Sequence, residues 1–212
     1  MAVDPAPRWR RRKAARPDEI LAAALGEFAA RGFAAARLDD IALAAGVTKG
    51  TLYLYFPNKE ELFKAVVRSA IVPRLATLEA VVDATDAPAP VLLDRLLRRW
   101  GEILAVPQIS AIPKLVIAES GNFPELARFY LDTVVQRGLG LIRRLIRRGI
   151  DEGDFRPVDL DSASFYVVGP LLLSMFWRQA LEPAGAVPLD AAALGRTHTE
   201  FLLRALSNEV PR

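Results

Sequence analysis

Hydroxyl groups, a cation and a methyl-rich side chain lie close together in the chain near residue 50. In helical spacing they would share the outward side of one short segment. There they could contact phosphate oxygens and the edges of bases in the DNA major groove. The residues concerned are Lys49, Gly50, Thr51, Tyr53 and Leu54. The chemistry that this cluster predicts is recognition of DNA.

Two short helices joined by a tight turn would position this cluster. The first helix has an apolar face at one-turn spacing, formed by Leu38, Ile41, Ala42 and Ala45. Gly46 stands where the chain must reverse. Glycine suits such a turn because it adopts a positive φ without steric cost. Val47 and Leu52 supply the inward contacts of the second helix. This geometry places a helix in the DNA major groove, although a helical hairpin in any all-α protein can show the same spacing.

The residues after the second helix favour contact with phosphates. Asn58 followed by Glu61 predicts a capping box, which begins another helix. The N-terminus of that helix has free N–H groups and can bind a phosphate. Lys59 lies in its first turn, where a nearby phosphate would explain a cation; an ordinary solvated lysine is the alternative.

The N-terminal residues 1–16 are expected to form a flexible basic arm. Their acidic content is limited to Asp4, and the basic residues are Arg8, Arg10, Arg11, Arg12, Lys13 and Arg16. This charge density, together with nearby prolines, predicts disorder in the free protein. Arms of this kind reach into the minor groove or lie along phosphates, and Arg11 and Arg12 are candidates for that contact. A merely solubilising tail is the alternative.

The stretches EILAAALGEFAARGF and DDIALAAGVTKGTLYLYFPNKEELF, within residues 19–63, resemble the DNA-binding domain of the TetR family of bacterial transcriptional regulators. The resemblance implies an all-α homodimer of about nine helices, with an N-terminal three-helix helix-turn-helix domain and a C-terminal helical domain for ligand binding and dimerisation. It also implies that certain residues meet DNA, namely Thr48, Lys49, Thr51, Tyr53 and Lys59.

Two positions depart from the family pattern. Members usually carry Thr or Ser around Ala36 and Arg37, where a hydroxyl caps the helix and touches phosphate. Here the cap must be weaker or shifted, and Arg37 is a candidate to take over the phosphate contact. Leu54 stands where relatives are often polar; it can pack on a thymine methyl group but cannot hydrogen-bond a base.

Composition excludes several other classes of protein. The 212 residues contain no cysteine and only one histidine, His198, which excludes disulfides and argues against Cys/His zinc sites and Ser-His catalysis. We therefore expect no metal, no cofactor and no enzymatic activity. No secretory signal is visible, and the apolar run 165–177 is shorter than the roughly 20 residues of a membrane span. A cytoplasmic protein without membrane contact is expected.

The rest of the chain predicts a helical ligand-sensing and dimerisation domain at 63–212, following the DNA-binding domain at 17–62. The helix that starts at Lys59 is expected to bend at Pro73. Further helices are predicted at 90–105, 108–119, 124–151, 159–181 and 189–207. The phrase ESGNFPELARFY (119–130) resembles the C-terminal domain of repressors of the AefR type.

Aromatic and aliphatic residues on these helices predict a pocket for a hydrophobic effector, with an ordinary packed core as the alternative. The candidate lining residues are Trp100, Leu104, Phe129, Tyr130, Phe165 and Phe176. The last two helices are expected to form the dimer interface, with Leu172, Met175, Phe201 and Leu202 as candidates.

The leading hypothesis is a ligand-responsive repressor that a small hydrophobic effector releases from a pseudo-palindromic operator. Two copies of the motif, roughly 34 Å apart, would meet successive major grooves of double-stranded DNA. An enzyme or carrier built on an α-bundle is a second hypothesis, but it needs convergent acid, base or metal groups that the sequence does not show. Sequence-independent, architectural DNA binding is a third.

Overall fold

In this computed structural model the described part of the chain is built from helices. The structure describes residues 8–83 and 87–208, with side chains from residue 16 onward. The N-terminal helices are α1 (Arg8–Ala35), α2 (Leu38–Ala44), α3 (Lys49–Tyr55), α4 (Lys59–Ala70) and α5 (Val72–Val82). The C-terminal helices are α6 (Ala89–Leu104), α7 (Pro107–Glu119), α8 (Pro124–Tyr130), α9 (Gln136–Asp151), α10 (Leu160–Phe176) and α11 (Ala191–Leu206). The described ranges contain no strand beyond an isolated bridge between Phe155 and Ser207, so the predicted all-α class is confirmed.

Two helices contain a π-helical turn. Leu131–Val135 joins α8 to α9 without a break, and Trp177–Leu181 continues α10. Each π turn inserts an extra residue into the helix, and such turns are frequent at functional sites. The predicted helices at 124–151 and 159–181 therefore exist as continuous rods, but their side chains rotate to a new direction part of the way along.

The backbone of residues 8–16 differs from the predicted flexible arm. It is helical and belongs to α1, because the arginines, lysine and alanines of this segment are good helix formers despite their charge. Residues 1–7 and the side chains of 8–15, including Arg11 and Arg12, lie outside the part of the chain that is described.

An aromatic cluster forms the centre of the N-terminal domain. Phe28, Phe33 and Phe63 are at most 2% exposed, and their ring centroids lie 5.5 to 5.7 Å apart. Gly32 interrupts α1 with a φ of +79°, which turns Phe33 back into this cluster. The second positive φ of this domain is at Gly46 (+65°), in the turn between α2 and α3 where the sequence predicts it.

The predicted bend at Pro73 lies between α4 and α5. α4 ends at Ala70, and Pro73 occupies the first turn of α5, where a missing N–H costs no hydrogen bond. α4 runs across the predicted domain boundary at 62/63. Further along, Arg137 of α9 donates two hydrogen bonds of 2.6 Å to the carboxylate of Glu79, which joins α5 to the C-terminal bundle.

α9 packs tightly against Phe155 and Ala89 at Gly149. A Cβ placed there would lie 2.2 Å from a ring carbon of Phe155 and 2.9 Å from the Cβ of Ala89. Only glycine fits this crossing without a shift of its neighbours. The Cβ of an alanine at Gly140, in the same helix, would meet nothing within 4 Å.

Candidate DNA interface and effector cavity

α3 presents polar and apolar side chains to solvent. Leu52 is fully buried and anchors the helix, whereas Tyr53 is 43% exposed and Leu54 is 84% exposed. The Thr48 hydroxyl caps the helix by accepting from the Thr51 N–H at 3.2 Å, and the two threonine Oγ atoms lie 2.9 Å apart. Seven residues of helix are thus held rigidly by one buried leucine and one cap.

A charged cluster surrounds the N-terminus of α3. Lys49 Nζ lies 2.7 Å from a carboxylate oxygen of Asp39, and Arg37 Nη2 lies 4.0 Å from the other. The hydrogen bond and the charge of Asp39 raise the pKa of Lys49, so its ammonium stays charged. Arg37 precedes α2 without a side-chain cap, consistent with the missing hydroxyl at this position. Both cations remain largely exposed.

Lys59 is directed differently from the sequence-based expectation. Its Nζ donates to the carbonyls of Ala34 (2.9 Å) and Ala36 (3.1 Å) and lies 4.8 Å from the centroid of the Phe33 ring. Burial lowers the pKa of this lysine. The break in α1 leaves its last carbonyls open, and a cation satisfies them. The expected helix N-terminus is present, since the Asn58 side chain accepts from the Glu61 N–H at 2.8 Å.

The end of α7 is docked against this same corner of the DNA-binding domain. Glu119 Oε1 accepts a hydrogen bond of 2.9 Å from the Ala34 N–H. Next to it, the Phe123 ring meets Phe33 edge-on, with the centroids 4.8 Å apart. The C-terminal domain therefore contacts the turn before α2 through one carboxylate and one aromatic pair.

An apolar cavity of about 380 Å³ lies between the helices of the C-terminal domain and opens to solvent near Ile117, and we call it the effector cavity. Helices α5 to α10 contribute to its walls. Trp100, Leu104 and Tyr130 lie in the lining as the sequence predicts, and Leu131 and Val134 come from the first π turn. Burial raises the pKa of the Tyr130 phenol, so its hydroxyl stays neutral and can donate a hydrogen bond into an apolar space.

Three residues predicted for the effector cavity lie elsewhere. Phe129 packs beneath the Arg68 guanidinium, 5.0 Å from the ring centroid. Phe165 and Phe176 are 66% and 46% exposed on the outer side of α10. α10 is apolar all round, so the spacing of its residues does not reveal which side faces the cavity. Val168 and Leu172 of α10 line it instead, and sequence reasoning missed Val168.

An exposed apolar surface lies along α10 and includes one ring from α11, which otherwise exposes charged residues such as Glu200 and Arg204. Its residues are Phe165, Tyr166, Leu173, Phe176 and Phe201. Of the residues predicted for a dimer interface, Phe201 is exposed and Leu172 is partly exposed. Met175 (1% exposed) and Leu202 (9%) are not on this surface, because they face the interior of the protomer. By length and composition alone, residues 160–184 could cross a membrane, and only 22% of their most apolar window is buried.

A short exposed helix held at a tight turn, joined to a helical domain that contains an apolar cavity, defines a helix-turn-helix regulator with a ligand-binding domain. Residues 20–66 match the family model for bacterial regulatory proteins of the tetR family, and residues 92–197 match that for the C-terminal domain of AefR-like transcriptional repressors. The chain belongs to the TetR family, as the sequence resemblance implies. It is a ligand-responsive, DNA-binding transcriptional repressor.

Individual relatives support the same assignment. The transcriptional repressor KstR2 of Mycobacterium tuberculosis is 28% identical over 197 residues, which cover 92% of this chain and 94% of that protein. The regulator YfiR of Bacillus subtilis is 30% identical over 148 residues, which cover 68% of this chain and 69% of that protein. The structure of the fatty acid degradation regulator FadR from Bacillus halodurans superimposes with a TM-score of 0.75 at 26% identity, covering 89% of this chain and 98% of that one.

Proposed function

We propose that two copies of this chain bind a pseudo-palindromic operator and that a small hydrophobic effector releases them. The observation that carries the proposal is the orientation of α3. Leu52 is fully buried while Tyr53 and Leu54 point outward, so one side of this helix is free to enter a major groove. Operator DNA in a bacterium lies in the cytoplasm, where the protein would act.

The residues around α3 divide into two groups by chemistry. Lys49, Thr51 and Leu54 would read bases, the leucine by packing on a thymine methyl group. Tyr53 and Arg37 would contact phosphates, with Arg11 and Arg12 of the basic N-terminal segment. Thr48 orders the first turn of α3, and Gly50 lets the DNA backbone approach that turn closely. Lys59 would act indirectly, by fixing the end of α1 beside α4.

The exposed apolar surface along α10, with its one ring from α11, would form the dimer interface. Phe165, Leu173 and Phe201 are each more than 60% exposed, which is costly in a monomer. Pairing across a two-fold axis would bury them in a four-helix arrangement and set the separation of the two α3 helices. The apolar composition of residues 160–184 is then explained by subunit contact rather than by a membrane.

The effector would be an apolar molecule that carries a hydrogen-bonding oxygen. The effector cavity is lined mainly by aliphatic and aromatic side chains, with the Tyr130 hydroxyl as a neutral donor. Its volume of about 380 Å³ suits a small hydrophobic ligand. Relatives named as regulators of fatty acid degradation and as ketosteroid regulators support acyl or sterol-derived compounds.

α7 would carry the response from the effector cavity to DNA. Val116, Ile117 and Ser120 line the effector cavity, and Glu119 of α7 accepts a hydrogen bond from the Ala34 N–H. An effector that displaces the end of α7 would therefore move the corner that supports α2 and α3. A coupling free energy of about 1–3 kcal/mol changes operator affinity about 5- to 150-fold.

Fluorescence anisotropy with the duplex upstream of the protein's own gene tests the proposal. We expect that duplex to bind at least about a thousandfold more tightly than a random duplex of equal length, with a steep fall in affinity as salt rises. Equal affinity for the two duplexes would favour an architectural DNA-binding protein instead. Turnover of a metabolite would favour the enzyme or carrier hypothesis, for which the described residues form no cluster able to hold a metal ion.

A further inference from the structure

A second cavity, of about 470 Å³, lies between α6, α10 and α11, and we call it the polar cavity. Leu97, Leu104 and Leu171 form apolar parts of its wall. Ionisable side chains from α6, α11 and the second π turn form another part of the wall. They are Asp94, Arg98, Glu102, Arg178, Arg196 and His198. Leu104 also lines the effector cavity, so its side chain lies between the two spaces.

Arg178 is held in the wall of the polar cavity by the second π turn. Its Nη2 donates to the Leu104 carbonyl at 3.0 Å, which fixes the guanidinium at the end of α6. The next residue, Gln179, donates from Nε2 to the Pro107 carbonyl at 3.1 Å and also contacts Ser110. Arg178 Nε is buried and meets no acceptor among the described residues. An unpartnered buried donor of this kind calls for a physical explanation, and Arg178, which lies in the cavity wall, has no carboxylate partner in the described part of the chain.

The charges around the polar cavity leave arginine side chains unpaired. Asp94 accepts from Arg98 at 2.9 Å. Glu102 accepts from Arg99 at 2.8 Å, so both carboxylates already have a cation. Arg196 on α11 forms no ion pair within the described part of the chain, and its position across the cavity from α6 gives a second free guanidinium.

We infer that the polar cavity is a second ligand site, for an organic acid whose carboxylate meets Arg178 and Arg196 and whose apolar body lies against the leucines. Guanidinium groups bind carboxylates with strong, directional hydrogen bonds. The cavity volume is within the range of small-molecule sites, roughly 300–1,000 Å³. The inference does not depend on DNA binding or on the identity of the effector.

Titration with 2-naphthoate and with its neutral isostere 2-naphthamide, by calorimetry at constant ionic strength, tests the inference. The acid should bind about tenfold or more tightly than the amide, because only the acid forms charge-assisted hydrogen bonds. In Arg178→Met that ratio should fall about threefold or more, because only Arg196 remains to meet the carboxylate, while amide affinity stays as in the wild type. Arg147→Ala removes an exposed arginine of α9 outside the cavity and should leave the ratio unchanged.

A measurement on the unaltered protein covers the case in which Arg178→Met fails to fold. The buried Nε–H of Arg178 should give a resolved nitrogen–proton NMR signal, assigned with Arg178→Lys, which moves on addition of 2-naphthoate but not of 2-naphthamide. Ala127→Trp narrows the effector cavity and should not alter the acid-to-amide ratio. The inference is overturned if the NMR signal is unmoved by the acid, if the ratio survives in Arg178→Met, or if Ala127→Trp abolishes it.

Discussion

Asp39 is an acidic residue on the surface that faces DNA in the proposed complex, and replacing it with asparagine should strengthen DNA binding. Its carboxylate lies 2.7 Å from Lys49 Nζ and 4.0 Å from Arg37 Nη2. In the free protein the Asp39 carboxylate therefore neutralises part of the positive charge of Lys49 and Arg37, which would otherwise be available to DNA phosphates. Asp39→Asn should add about one effective phosphate contact in each copy of the chain.

The salt dependence gives the size of the effect. Each phosphate that a protein neutralises contributes about 0.9 to the slope of log affinity against log salt concentration. Two copies on one operator would steepen that slope by about 1.8. Between about 50 and 200 mM salt, the advantage of the variant over the wild type should shrink about twelvefold. The pair is solvent-exposed, so the unfolding temperature should hardly change.

Fluorescence anisotropy at several salt concentrations, with the upstream duplex and a random duplex, measures both slopes. Asp83→Asn is the matched control. It removes the same charge from an exposed aspartate at the end of α5, 3.9 Å from Arg144 and away from α3, and should bind like the wild type. An unchanged slope in Asp39→Asn would refute the reasoning. A loss of affinity would show that Asp39 positions Lys49 rather than masking it.

Three further variants test packing, domain coupling and dimerisation. Gly149→Ala should lower the free energy of unfolding by about 1–3 kcal/mol through overpacking, whereas Gly140→Ala should raise it by about 0.5–1 kcal/mol in urea titrations; equal effects would contradict the crossing geometry. Glu119→Ala should speed hydrogen exchange of the Ala34 amide about tenfold or more, because a hydrogen bond to a charged group is lost. Unchanged exchange would show that this hydrogen bond does not link the two domains. Phe201→Asp should convert the proposed dimer to a monomer in analytical ultracentrifugation and weaken operator binding, and an intact dimer would place the interface elsewhere.

The helix-turn-helix could be predicted from the sequence because its determinants are local. Gly46 must adopt a positive φ, and the Asn58 cap depends on a residue only three positions away. The surface of α3 follows from Leu52 being its one buried residue. Each of these features is decided within one or two helical turns, where spacing and residue type carry the information.

The remaining features depend on contacts between distant residues. Lys59 turns toward the carbonyls of Ala34 and Ala36, which become accessible only because α1 breaks at Gly32. α10 is apolar on every side, so spacing cannot separate the residues that line the effector cavity from those that face solvent. The π turns add a rotation that no local pattern announces, and they decide which side of each helix meets the cavities.

Leu54 and Leu43 provide the most direct test of the central claim that α3 reads DNA. They are leucines on adjacent helices with nearly equal exposure, 84% and 81%, and only Leu54 lies on α3. Selection of bound sequences from a randomised operator library should show that Leu54→Ala alters the preferred base pair at one position of each half-site. Leu43→Ala should select the wild-type sequences. Identical selections by all three proteins, or equal changes in both variants, would contradict the account.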